Sequence, residues 1–185
     1  MSTRRKNILI CSIITLILLV VFFRHLYMPK IVFTYWEYNS EYNPPDNKSH
    51  PYDAWIIDRN GNIYHSYNME INFEQAPEKC KKIGHINQRN LAQHYSSLQH
   101  MLNSNHYKLS NHQNSNLKPN YYVGSKHWNG YCYTILGEKK QIDLYHESDI
   151  SYYNENPTGK KLADWIIKVI QQYDEYSPVL YLNEE

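Results

Sequence analysis

A chain of 185 residues, 42% hydrophobic and 20% charged with a net charge of +1, is sized for one folded domain. That balance excludes a disordered polyelectrolyte and a strongly basic nucleic-acid binder. Six Gly and eight Pro exclude collagen-like and linker chains, and three Cys exclude a disulfide scaffold or a cysteine-built zinc module.

Arg4, Arg5 and Lys6 precede sixteen uncharged, mostly apolar residues, Ile8 to Phe23. As a helix that run rises about 24 Å against a hydrocarbon core of roughly 30 Å, and Asn7 and a snorkelling Arg24 extend its reach. The run ends in Val20, Val21, Phe22 and Phe23, with none of the small residues that a signal peptidase needs. It therefore reads as an uncleaved signal anchor. Residues 1–6 are expected to be a cytoplasmic basic tail, 7–28 a single transmembrane helix, and 30–185 a domain outside the cell membrane, periplasmic or extracellular. Residues 1–28 hold four basic residues and no acidic one, so the rest carries 15 basic against 18 acidic groups and is mildly acidic.

Ile31 to Tyr38 is rich in β-branched and aromatic residues and predicts a strand. Asn39 to Pro51, with Pro44-Pro45, reads as a loop. Asp53–Asp58 and Asn62–Tyr67 flank Asn60-Gly61, the strongest short signal for a hairpin. Residues 74–104 read as helical, a short piece ending near Gly84 and a better helix after Asn87, its N-cap, with Leu91, Tyr95, Leu98 and Leu102 on one face. Asn103 to Asn120 is an Asn/Ser-rich loop. Tyr121–Trp128, a turn at Asn129-Gly130, Tyr131–Leu136 and Gln141–His146 predict a three-stranded meander. Thr158 is expected to cap a last helix whose apolar stripe is Leu162, Trp165, Ile166, Val169, Ile170 and Tyr173, with Trp165 a major core anchor and Pro178 past its end. The fold class expected is α+β: the transmembrane helix, then an antiparallel sheet of about five to six strands with two or three helices packed on one face.

Chemistry is harder to read. His94, His100, His106 and His112 recur every six residues, but six residues turn a helix by about 240°, so neighbours do not share a face. No His-Glu-x-x-His pattern occurs, and Asp58–Asn62 lacks the glycine and glutamate positions of a calcium loop. Neither a metal site nor a cofactor site is expected. Cys80 and Cys132, in the outer domain, are candidates for a disulfide; the alternative is two buried thiols. Asn47-Lys-Ser49 fits a glycosylation sequon. Trp128 and Tyr131, flanking the expected turn, are the candidate binding residues, since aromatics at a hairpin tip serve as anchors. Cross-strand aromatic pairing is the competing explanation.

These features favour a non-catalytic module, tethered to the membrane by its N-terminal helix, that binds a protein partner and not nucleic acid. An immunity-type inhibitor of an exported toxin is one concrete form. The alternatives are a small hydrolase using His146 with Glu147 or Asp149, and a carbohydrate-binding module using exposed aromatics.

Overall fold

The computed structural model describes residues 10–16, 19, 28–39, 52–66, 80–103, 106–109, 124–134, 136–148 and 152–174. Strand β1 (Ile31–Asn39) is the spine. It pairs on one side with β2 (Tyr52–Asp58) and on the other with β6 (Gly124–Tyr133). With β3 (Asn62–Ser66), β4 (Lys81–His85), β5 (Tyr107–Leu109), β7 (Lys139–Glu147) and β8 (Tyr152–Asn154) these form one eight-stranded antiparallel sheet, in the order β4-β3-β2-β1-β6-β7-β8-β5. The five to six strands expected from the sequence are thus corrected to eight. The added ones are short: β5 and β8 have three residues each, too few to show an alternating pattern.

The β2–β3 hairpin turns where Asn60-Gly61 predicts. Gly61 adopts φ +80°, and the nearly buried Asp58 carboxylate holds the turn, accepting from the Asn60 and Asn62 amides, the Asn62 side chain and the Tyr64 hydroxyl. Asn129-Gly130 does not turn. Both residues lie inside β6, paired to β1 on one side and β7 on the other. Gly130 is there because Leu98 of α1 (Gln88–Gln99) packs directly onto it. The β6–β7 turn comes at Thr134–Glu138, with Gly137 at φ +84°.

Gly84, expected to end a helical piece, belongs to β4. The ring of Tyr173 lies against it, and the Tyr173 hydroxyl donates to the His85 carbonyl. Helix α1 starts after Asn87, whose side chain accepts from the Asn90 amide. In α2 (Pro157–Gln171) the cap is Asn156, accepting from Thr158, with Pro157 in the first turn. The cap expected from the sequence, Thr158, lies two residues too late.

Both helices lie on one face of the sheet. Leu91, Tyr95 and Leu98 of α1 and Leu162, Ala163, Ile166, Ile167, Val169 and Ile170 of α2 share a core with Phe33, Tyr35, Trp55, Trp128, Cys132 and Leu144. A bulge at Trp128/Asn129 adds one residue to β7, and Leu144 and Tyr145, though adjacent, are both buried on the helix face. Trp165 is half-buried: it stacks on His94 at 4.0 Å and meets Phe33 edge-on at 5.2 Å.

The transmembrane helix is also corrected. Among the described residues no helix is long and apolar enough to cross a membrane. The described helical residues there, 10–16 and 19, are too few to make up such a span. The Pro44-Pro45 loop, the Asn47 sequon, the helical piece at 74–79, most of the 103–120 loop, Tyr121–Val123, Asp149 and Pro178 lie outside the described residues.

Candidate functional site

The sheet face away from α1 and α2 carries the polar and aromatic residues that the core does not use. Alternation along β6 sends Trp128, Gly130 and Cys132 toward the helices and Ser125, His127, Asn129 and Tyr131 the other way. Register then aligns one ring from each of five strands. Trp36 of β1 stacks on His127 of β6 at 3.7 Å, and His127 meets His146 of β7 at 4.1 Å. His146 stacks on Tyr152 of β8 at 4.6 Å, and Tyr152 meets Tyr107 of β5 edge-on at 5.6 Å. Tyr107 closes the row with 42% of its surface exposed; the other four rings are half-buried.

The centre of the row is a histidine pair. The Nδ1 atoms of His127 and His146 are 2.9 Å apart and hydrogen-bonded, which requires one ring to donate and the other to accept. Each far nitrogen reaches a serine two residues along its own strand: His127 Nε2 to Ser125 Oγ at 3.2 Å, and His146 Nε2 to Ser148 Oγ at 2.9 Å. Burial pushes the His127 pKa down to about 4, with His146 adding to the shift. Burial also lowers His146, against an opposing pull from Asp143. The pair is therefore neutral at pH 7. Asp143 lies on the same face and accepts from Gln141, which also bonds Asn129. Burial, then the Asp143 charge, raise the pKa of both Tyr107 and Tyr152.

The residues picked from the sequence fall elsewhere. Trp128 is wholly buried on the helix face, between Tyr35 and Tyr145, and its indole N–H has no hydrogen-bond partner among the described residues. Tyr131 is on the opposite face, nearly buried with Ile31 and Ile56, its hydroxyl 3.4 Å from Thr34 Oγ1 and Lys139 over its ring. Cys80 and Cys132 are both free thiols in different clusters, Cys80 beside Tyr64 and Tyr131, Cys132 in the core under the helices. Burial raises both, Cys132 to about 11, so neither is an activated nucleophile. His146 belongs to the row. Glu147, the next residue, points to the other face, where it pairs with Lys126 at 3.8 Å.

Reading from the sequence missed Trp36, Ser125, His127, Ser148, Tyr107 and Tyr152. Period-two spacing of Ser125 with His127, and of His146 with Ser148, was visible, but only a β6 running through Asn129-Gly130 puts the two pairs side by side.

His65, apart from this pair, is structural. His65 of β3 stacks on Trp55 at 4.4 Å, and Asp174, just past α2, takes both His65 Nδ1 at 2.8 Å and Trp55 Nε1 at 2.9 Å. Among the described residues no group of three or more His, Cys, Asp or Glu is placed to hold a metal. The chain matches no protein-family model, no curated protein and no solved structure.

Proposed function

We propose that the chain is a non-catalytic module that binds a protein partner through the sheet face opposite its helices. The observation that carries this reading is the continuous row Trp36–His127–His146–Tyr152–Tyr107, crossing five strands on the face opposite α1 and α2 and ending in the exposed Tyr107. Tyr and Trp held in a rigid sheet offer large contact area with little entropy to lose, the composition typical of protein interfaces. An immunity-type inhibitor of an exported toxin is one form of such a module; the neighbouring gene would then encode the toxin.

One observation favours a second reading, hydrolysis. Ser148, His146 and His127 stand in the order nucleophile, base and orienting group, with a neutral imidazole in the middle. This arrangement replaces the Glu147 of the sequence reading, which faces away. The sugar-binding alternative has less support, because the inner rings of the row cover one another's faces and leave mainly edges for a ligand.

The test measures binding of the adjacent gene's product to the wild-type chain and to Trp36→Ala and Tyr107→Ala. Each is expected to weaken binding at least about tenfold, while Lys161→Ala, on an exposed flank of α2, leaves it unchanged. Ring variants that bind like wild type would sink the proposal. Labelling of Ser148 by a fluorophosphonate, lost in His146→Gln, would turn the assignment to hydrolysis.

A further inference from the structure

The Nδ1–Nδ1 bond of the histidine pair limits how much charge the row can carry. In the neutral pair one proton lies between the two Nδ1 atoms and one sits on the Nε2 of the accepting ring. A first added proton has a place that costs no bond. It goes to the Nε2 of the donating ring, whose serine hydroxyl turns from donor to acceptor. A second has none: it must go on the accepting Nδ1, and two N–H groups then face each other across 2.9 Å. The rings must separate, and because each is stacked on a neighbour, His127 moves against Trp36 and His146 against Tyr152.

Among the described residues little offsets that charge. On this face β7 supplies one nearby carboxylate, Asp143, already accepting from Gln141. Strand β8 offers the phenol of Tyr152, β5 that of Tyr107, and β1 the Trp36 ring and the Tyr38 phenol. Lys126, Glu147 and Glu37 lie on the other face, Lys126 with Glu147 and Glu37 with the Tyr35 hydroxyl.

We propose that His127 and His146 make this binding face proton-sensitive: it takes a flat, uncharged partner surface while the pair is bonded and releases it when a second proton parts the rings. The inference rests on the reading of this face as a binding surface. A covering partner removes the pair from water and penalises its charged forms, so by linkage acid must weaken such a complex. Burial and the charge of His146 both push the His127 pKa down, so the parting step falls in acid, below the ordinary histidine value.

The experiment is a titration of the full chain without any partner, following the histidine ring nitrogens and the Trp36 indole N–H by NMR from pH 7.5 to 3.5. Two separated steps shared by His127 and His146 are expected, as for any tightly coupled pair, with the Trp36 signal moving in the lower one. In His127→Gln, and equally in His146→Gln, the remaining histidine should titrate once, and the acid shift of Trp36 should vanish. Independent titration of the two rings near the ordinary histidine value with Trp36 unmoved overturns the proposal. So does loss of the sheet signal in circular dichroism before the lower step. Neither outcome depends on a partner, so failure of the switch is distinct from failure of the binding reading, which the ring variants decide.

Discussion

A Cβ at Gly130 would overlap both Cδ atoms of Leu98, a wholly buried side chain of the core that also holds Tyr95, Cys132 and Met101. Overpacking of this kind costs about 1–3 kcal/mol. Gly130→Ala is therefore expected to lower the urea midpoint by a corresponding amount, and Leu98→Ala alone to cost about 2–5 kcal/mol. The two should not add: in the double variant the new methyl occupies space that Leu98 has vacated, so its loss should be smaller than the sum. Additive losses would mean that α1 does not rest on β6. The same glycine explains a misreading. Asn-Gly is a turn signal because both residues accept positive φ. At Gly61 that freedom is used, whereas at Gly130 the missing side chain is what matters.

Among the elements, α2 was the clearest from sequence, since its periodicity is local and survives whatever it packs on. Leu162, Ile166, Val169 and Ile170 are buried as the spacing requires, and Ala163 and Ile167 widen the stripe on one side. Trp165 is displaced to the opposite margin, half-covered by His94. Its truncation should cost less than a fully buried indole would, about 2–3 kcal/mol, comparable with or below the 2–5 kcal/mol of Ile166→Ala. Lys168→Ala, on the exposed flank, should stay within about 0.5 kcal/mol. Chemical denaturation of the three variants gives the ranking; Trp165→Ala clearly worse than Ile166→Ala would contradict the packing described. The strand β4 was misread for the opposite reason: five residues with no alternating pattern owe their place to Tyr173, 88 residues further along the chain.

At the scale of the whole molecule, the end of α2 fastens the far edge of the sheet. Asp174 accepts from Trp55 of β2 and His65 of β3, and Tyr173 covers β4. Asp174→Ala leaves two buried donors without that acceptor, at about 1–3 kcal/mol each. Hydrogen exchange should quicken first in β3 and β4 while β6 and β7 stay protected; uniform quickening across the sheet would refute the fastening role. These long-range ties were not legible in the sequence, nor was the candidate site. The hairpin at Asp58–Asn62, both helix faces and the first strand follow from neighbours within a few residues. The ring row depends on the pairing of β1, β6, β7, β8 and β5, whose members lie up to 116 positions apart between Trp36 and Tyr152.

The bulge in β7 decides how the candidate face responds to changes in chain length. Because Leu144 and Tyr145 share one side, the strand's in–out alternation is reset there by one step. Remove Leu144, the extra residue, and the ladder becomes regular, with Asp143 still opposite Asn129, Tyr145 opposite Trp128 and His146 opposite His127. Add a residue between Tyr145 and His146 instead, and either His146 and Ser148 would swing beneath the helices or β7 would slide past β6 and uncouple from His127. Substitutions on this face can therefore accumulate one at a time, and even the bulge residue can be lost, but an insertion after Tyr145 would dismantle the row in one event.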